Sequence, residues 1–476
     1  MRMLTPSELI LKLHEIESER TDAIGRLTAG EWSLWPSFRI AILHDLNPPI
    51  ATEAGLAPLS APRPFREFRL IARSLAELIP LAFRSNRGKC MIRTLTYSRR
   101  ERYHEKWYCV FFDQLVKDLG PGRFLVSEGR GLPEQDYKHE IPNPVAFHDD
   151  GIAFLARCFR PWVKRRYRRM VETNRKIAAE IFPDAAVKIV PITISFWAHY
   201  LAWRLVYRII RPGSILMTVA TSARAEEIAA ARSLGISTIE YQHGDIGPID
   251  HSYTYSSALL KLKTLLPLPE EMFVFSEYQR KKMVSGGFWK DSDLLIGGMP
   301  QIDLYEKNYS RGARNNRSIT TILVVSSVFS GMAESLRKFI WNYLNKNSDA
   351  HFKFSVRAHP SENTAAWSEL ISEFPNHVSL SDETFYSALE SADLALGIYS
   401  TGLQEAVYFG VPVYILQQDV WEMSKDLIDV GAARTISANF VDSFEKFEVP
   451  ASARYRYAAK MNLDLIEKTL FPQGRA

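Results

Sequence analysis

The chain has 476 residues, 46% of them hydrophobic and 24% charged, with a formal net charge of +5. At roughly 100–200 residues per domain, that length gives two or three domains, and the composition excludes a disordered, collagen-like or disulfide-framed protein. The charge points to anionic ligands but is low for a chain bound to nucleic acid along its length, and three separated cysteines (Cys90, Cys109, Cys158), none in a CxxC, fit a reducing cytoplasm.

The first twenty residues read as an amphipathic helix capped by Thr5 or Ser7, without the apolar core of a signal peptide. Strands are expected at 39–46, 90–97, 123–129, 214–220, 237–244, 272–277 and 294–298, and helices at 66–84, 151–182, 192–210 and 222–234. The strands are apolar almost throughout, which suits a parallel sheet covered on both faces. Five prolines mark 47–64 as a loop or linker. The apolar stretch 192–210 carries His199, Arg204 and Arg208, and reads as a helix of a soluble protein rather than a membrane span.

A second βα series follows the polar segment 305–318. Its expected strands are 320–328, 352–360, 377–381, 394–400 and 412–417, with helices at 332–346, 364–374, 383–391, 402–410 and 419–430 between them. A closing helix at 451–470 could fold back across the other lobe. The reading is therefore α/β, two Rossmann-like, doubly wound parallel-sheet lobes facing a cleft, with bounds 1–300, 301–450 and 451–476. In such sheets ligands gather beyond the C-terminal ends of the strands.

Three post-strand loops of the second lobe carry candidate chemistry. In GIYSTGLQEAVYFGVPVYIL (397–416) a strand turns at Ser400-Thr401-Gly402 directly into a helix. Free N–H groups at 401–403, the helix dipole and two hydroxyls suit a phosphate, and Glu405 one turn on could bind ribose hydroxyls. The plainer alternative is an N-capped packing helix. In SVRAHPSE (355–362), Arg357 and His359-Pro360 could point cations into the cleft, or His359 could be an ordinary loop residue. Ser326 and Ser327 add hydroxyls ahead of helix 332–346.

Together these loops resemble the donor lobe of GT-B glycosyltransferases. The likeness is greatest to bacterial surface-polysaccharide enzymes: capsule Kdo transferases, polysialyltransferases and teichoic acid glycerophosphate transferases. IEYQHG (239–244) and the G-x-P-x-x-D segment at 298–303 resemble the same group. The resemblance implies that His359, Ser400 and Thr401 contact the nucleotide phosphate, with Glu405 near the ribose. It also implies a first-lobe base, here at His243, with Asp245 orienting it or taking its place. Glu128 and Glu31 are reserve bases on the strand-end argument. The acidic Asp-Gly base motif of sialyltransferases is approximated only by HDDG (148–151).

The DSD at 291–293 precedes a strand, whereas the D-x-D of metal-dependent glycosyltransferases ends one, so no metal is expected. The run Lys164, Arg165, Arg166, Arg168 and Arg169, close to Phe159 and Trp162, is a solvated helix face or a contact for anionic lipid headgroups. The expected function is sugar transfer from a CMP- or UDP-linked donor to a surface-glycan or lipid-linked acceptor, with no further cofactor and no nucleic acid, in the cytoplasm or peripherally at the inner face of the membrane. A nucleotide-sugar 2-epimerase of the same fold and a non-catalytic scaffold are the alternatives.

Overall fold

The computed structural model describes residues 6–46, 64–84, 86–93, 100–103, 106–128, 145–246, 250–306, 320–327, 331–347, 351–359, 362–418 and 421–472. Two parallel sheets dominate them. The first holds β1 (Cys90–Arg93), β2 (Phe124–Glu128), β3 (Val145–His148), β4 (Ser214–Met217), β5 (Ser237–Tyr241), β6 (Glu271–Val274) and β7 (Leu294–Ile296), in the order β7-β6-β5-β4-β1-β2-β3. The second holds β8 (Thr320–Val325), β9 (Phe352–Arg357), β10 (Val378–Leu380), β11 (Leu394–Gly397), β12 (Val413–Leu416) and β13 (Ala433–Ile436), ordered β10-β9-β8-β11-β12-β13.

Every neighbouring pair in both sheets is parallel. Strands β1, β4, β11 and β12 are buried at every position, because helices cover both faces. In each sheet the strand order reverses once, between β1 and β4 in the first lobe and between β8 and β11 in the second. A crevice opens at such a reversal, beyond the C-terminal strand ends.

The helices follow from apolar spacing. Helix Met332–Lys346 buries Leu336, Phe339, Ile340, Tyr343 and Leu344 at steps of three and four. Helix Ile189–Ile210 lies within an apolar stretch long enough to cross a membrane by length and composition, yet it buries ten residues of the described lobe, among them Phe196, Trp203 and Tyr207.

Four expectations change. Residues 39–46 belong to a helix, Trp35–Leu46, not a strand; Trp35, Phe38 and Ile42 are buried at helical spacing, and Pro36 sits in its first turn. Strands β3 and β13 escaped the reading because neither is an apolar run set off by turn residues: β3 follows Pro142 and Pro144 directly, and β13 buries only its two ends. The stretch 151–182 is two helices, Asp150–Arg166 and Arg168–Ile181, broken at Tyr167. The closing segment is two short helices, Ala451–Arg454 and Leu463–Leu470, with extended chain between them. That chain crosses to the first lobe: Ala459 donates to Phe275 O and Asn462 to Gly297 O, while Met299 donates to Ala459 O.

Candidate active site at the lobe seam

The second-lobe loops meet at the strand reversal. Val325 pairs with Arg357 across β8–β9, and Val324 pairs with Leu396 across β8–β11. The Ser326–Ser327, Ala358–His359 and Ser400–Thr401 segments therefore leave the same sheet edge. His359 and Ser400 follow strands two positions apart, which is about 10 Å at ordinary strand spacing. Ser326 donates its N–H to Arg357 O, and its buried hydroxyl has no hydrogen-bond partner among the described residues. Arg357 donates to Glu383 O at 2.8 Å, and the His359 N–H goes to Glu362 Oε2 at 3.1 Å. Pro360 lies outside the described residues.

Helix Thr401–Tyr408 begins with Ser400 as its N-cap. Two of the three N–H groups expected to be free are used within this cap: Gly402 donates to Ser400 Oγ at 3.2 Å, and Leu403 donates to Ser400 O. Position 402 is tight: a Cβ there would lie 3.0 Å from the Phe385 ring and 3.1 Å from Val325, so that ring would have to give way. Glu405 is buried and its carboxylate accepts the Tyr386 hydroxyl, so it is held inside the lobe rather than extended to the cleft.

The first lobe reaches this helix directly. Asp245 donates its backbone N–H to Thr401 Oγ1 at 2.8 Å. The Asp245 carboxylate is buried; its Oδ1 accepts Gln279 Nε2 at 3.0 Å and has Lys282 Nζ at 3.9 Å. Gln279 also donates to Gln404 Oε1, on the second-lobe helix, at 3.4 Å. Asp245 thus fastens the lobes and contacts Tyr399, whose hydroxyl it helps push upward after burial.

His243 lies half-buried two residues before that contact. Its Nδ1 is 3.3 Å from the Tyr253 hydroxyl, and Tyr253 is bonded to Glu240 Oε1 at 2.6 Å. Gln242, fully buried, pins the loop by accepting Phe275 N–H at 2.7 Å and donating to Gly244 O at 2.8 Å. Sequence reasoning missed Glu240, Tyr253, Gln279 and Gln404. A glutamate inside the otherwise uncharged strand β5 was the available signal for the first.

In the first lobe a buried ion-pair cluster sits at the C-terminal end of β1. Arg93, 1% exposed, donates to Glu227 at 2.6 Å, Asp149 at 2.9 Å and Ser127 Oγ at 2.6 Å, and lies over the Trp203 ring. Glu128 ends β2 beside His148, and its side chain lies outside the described residues. Glu31 is exposed in a tight turn at the opposite edge, near Arg232, which precedes β5 as His243 follows it. Glu31 is therefore no candidate base. Asp291 pairs with Arg280 and Asp293 with Lys263, ahead of β7. Lys164, Arg165, Arg166, Arg168 and Arg169 are exposed around the helix break at Tyr167, with Trp162 half-exposed beside them.

No family model and no curated protein sequence matches the chain. Solved structures with similar folds include an S. aureus MnaA–UDP co-structure (11% identity, 80% of this chain and 89% of that one, TM-score 0.45). A UDP-GlcNAc 2-epimerase from Neisseria meningitidis bound to UDP-GlcNAc gives 11% identity, 73% and 87% coverage, and a TM-score of 0.41. The glycosyltransferase SnogD from Streptomyces nogalater gives 13%, 74% and 88%, and 0.39. The architecture itself rests on the strand order: two Rossmann-like, doubly wound lobes meeting at a seam.

Proposed function

We infer that the chain is a GT-B-type glycosyltransferase that moves a sugar from a nucleotide-activated donor to a hydroxyl of a surface-glycan or lipid-linked acceptor. The observation carrying this reading is the Asp245–Thr401 hydrogen bond, which brings the loop bearing His243 against the helix start bearing Ser400 and Thr401. The donor is assigned to the second lobe, where the segments after β8, β9 and β11 leave one sheet edge. The Thr401 N–H, the Ser400 and Ser326 hydroxyls, Arg357 and His359 would surround the phosphate, and fixed dipoles and cations there would offset the charge of the departing nucleotide. Each acid of the DSD pairs with a basic side chain away from this edge, which favours a metal-independent reaction.

His243 would accept the acceptor's proton as its oxygen attacks the anomeric carbon and the nucleotide leaves with the electron pair of the broken bond. The exposed cations at 164–169, with Trp162, fit a lipid-linked acceptor at the cytoplasmic face of a membrane.

Calorimetric titration with CMP, UDP, GDP and CDP tests the donor site. One nucleotide should bind, and the pair Ser400→Ala and Thr401→Ala, or His359→Ala, should weaken it at least tenfold. Unchanged affinity in both would remove the phosphate assignment. Incubation with the nucleotide sugar alone, followed by NMR, separates transfer from 2-epimerisation, because only an epimerase converts the donor without an acceptor.

A further inference from the structure

Glu240 is a carboxylate with no exposure, set in the middle of the first lobe's sheet opposite Met217 of β4. Such a group is costly unless its hydrogen bonds are complete. Four donors converge on it: Ala220 N–H at 3.0 Å, Thr221 N–H at 2.9 Å, Thr221 Oγ1 at 2.5 Å and Tyr253 Oη at 2.6 Å. Burial pushes Glu240 upward, and these same bonds pull it back.

The two amides are aimed at it by Val219, which holds φ 55° and ψ 32° just after β4. A β-branched residue in the left-handed region is strained by about 1–2 kcal/mol, and such strain persists where the surroundings over-determine it. The strained turn, the helix start and the carboxylate form one rigid unit. The Tyr253 hydroxyl proton is directed at Glu240 Oε1 of this unit.

That proton decides the state of the neighbouring imidazole. A Tyr253 hydroxyl that donates to Glu240 presents only oxygen lone pairs to His243, 3.3 Å away at Nδ1. Nδ1 must then be the protonated nitrogen, and the basic lone pair of the neutral ring sits on Nε2.

We propose that Glu240 and Tyr253 are positioning residues that lock neutral His243 as its Nδ1–H tautomer, so that Nε2 is the proton-accepting atom. The catalytic part rests on the glycosyltransferase reading above; the tautomer does not. In the transfer step the acceptor O–H proton passes to Nε2, the new C–O bond forms, and the C–O bond to the nucleotide phosphate breaks. The resulting imidazolium keeps its Nδ1–H on Tyr253 and loses the Nε2 proton to solvent afterwards. Asp245, expected from the sequence to orient His243, is instead committed to the lobe seam.

The test uses the full chain labelled with ¹⁵N-histidine, with His243 assigned by its loss in His243→Gln. Long-range ¹H–¹⁵N spectra above the imidazole's titration should show Nδ1 protonated and Nε2 bare. Tyr253→Phe should move the neutral ring toward the Nε2–H form without unfolding the protein, since it removes one oxygen. Glu240→Gln should do the same by donating an amide hydrogen to Tyr253, and if it does not fold, Tyr253→Phe suffices. A wild-type ring protonated at Nε2, or one unmoved by Tyr253→Phe, overturns the proposal whatever the enzyme's activity. Given transfer activity, Tyr253→Phe should lower kcat about 10- to 100-fold at unchanged donor affinity. Normal kcat with the shifted tautomer would refute the positioning role while leaving the glycosyltransferase reading intact.

Discussion

The hydroxyl of Thr401 accepts the backbone N–H of Asp245 at 2.8 Å, joining the start of a second-lobe helix to the loop after β5 of the first lobe. Thr401→Val keeps the shape of the side chain and removes the acceptor, leaving a part-buried N–H unpaired at a cost of about 1–3 kcal/mol. The variant should unfold at lower denaturant and show a larger radius of gyration by small-angle scattering, with Thr401→Ser close to wild type. A valine variant matching wild type in both would mean that the seam is held elsewhere.

Gly298 has φ 84°, and a Cβ there would lie 2.2 Å from Lys460 O and 2.7 Å from Met461 N. These are backbone atoms of the segment returning from the second lobe, so they cannot swing aside. Gly298→Ala should undock that segment and cost several kcal/mol. Hydrogen exchange at Ala459, Asn462 and Ile466 should accelerate more than exchange in β8 and β11. Equal acceleration everywhere would contradict a local clash.

Burial, reinforced by the charge of Asp245, pushes Asp250 up from 3.8 to about 6. A carboxyl that holds its proton more tightly when folded stabilises the protein less as pH rises through that interval, by at most about 1.4 kcal/mol per pH unit. Asp250→Asn is exempt from the loss. Denaturation at pH 4 and pH 7 should therefore show the variant gaining on wild type at the higher pH. A gap that stays constant, or widens toward low pH, would contradict the assignment.

Lys164, Arg165, Arg166, Arg168 and Arg169 are all exposed, and each cation near an anionic membrane contributes on the order of 1 kcal/mol. Replacing the five by glutamine should lower sedimentation with phosphatidylserine-containing vesicles by at least 100-fold while leaving nucleotide affinity alone. Wild-type protein that ignores anionic vesicles, or a variant that still binds them, counts against a membrane-facing role.

The sheets were legible because doubly covered parallel strands are mostly apolar, as in β1, β4, β11 and β12, which are buried at every position. The same property misled at 39–46, since a buried helix is equally apolar and only its spacing and Pro36 mark it out. Ser400 and Thr401 announced themselves by their place after a strand. What Thr401 actually bonds to depends on a residue 156 positions earlier, which local pattern cannot supply. Glu405 and Asp245 looked like ligand-facing acids, but long-range partners, Tyr386 and Gln279, claim them. Tyr253 carried no motif at all; its meaning arises from the two groups on either side of its oxygen.

The chain passes between lobes twice, beyond Glu306 and again before Ala459, which is anchored to Phe275 and Met299. The second crossing is fixed by backbone hydrogen bonds on both sides of Ala459, which resist sliding of one lobe past the other. With the Asp245–Thr401 bond on the other side of the seam, the loop carrying His243 and the helix start at Ser400 are held in one register.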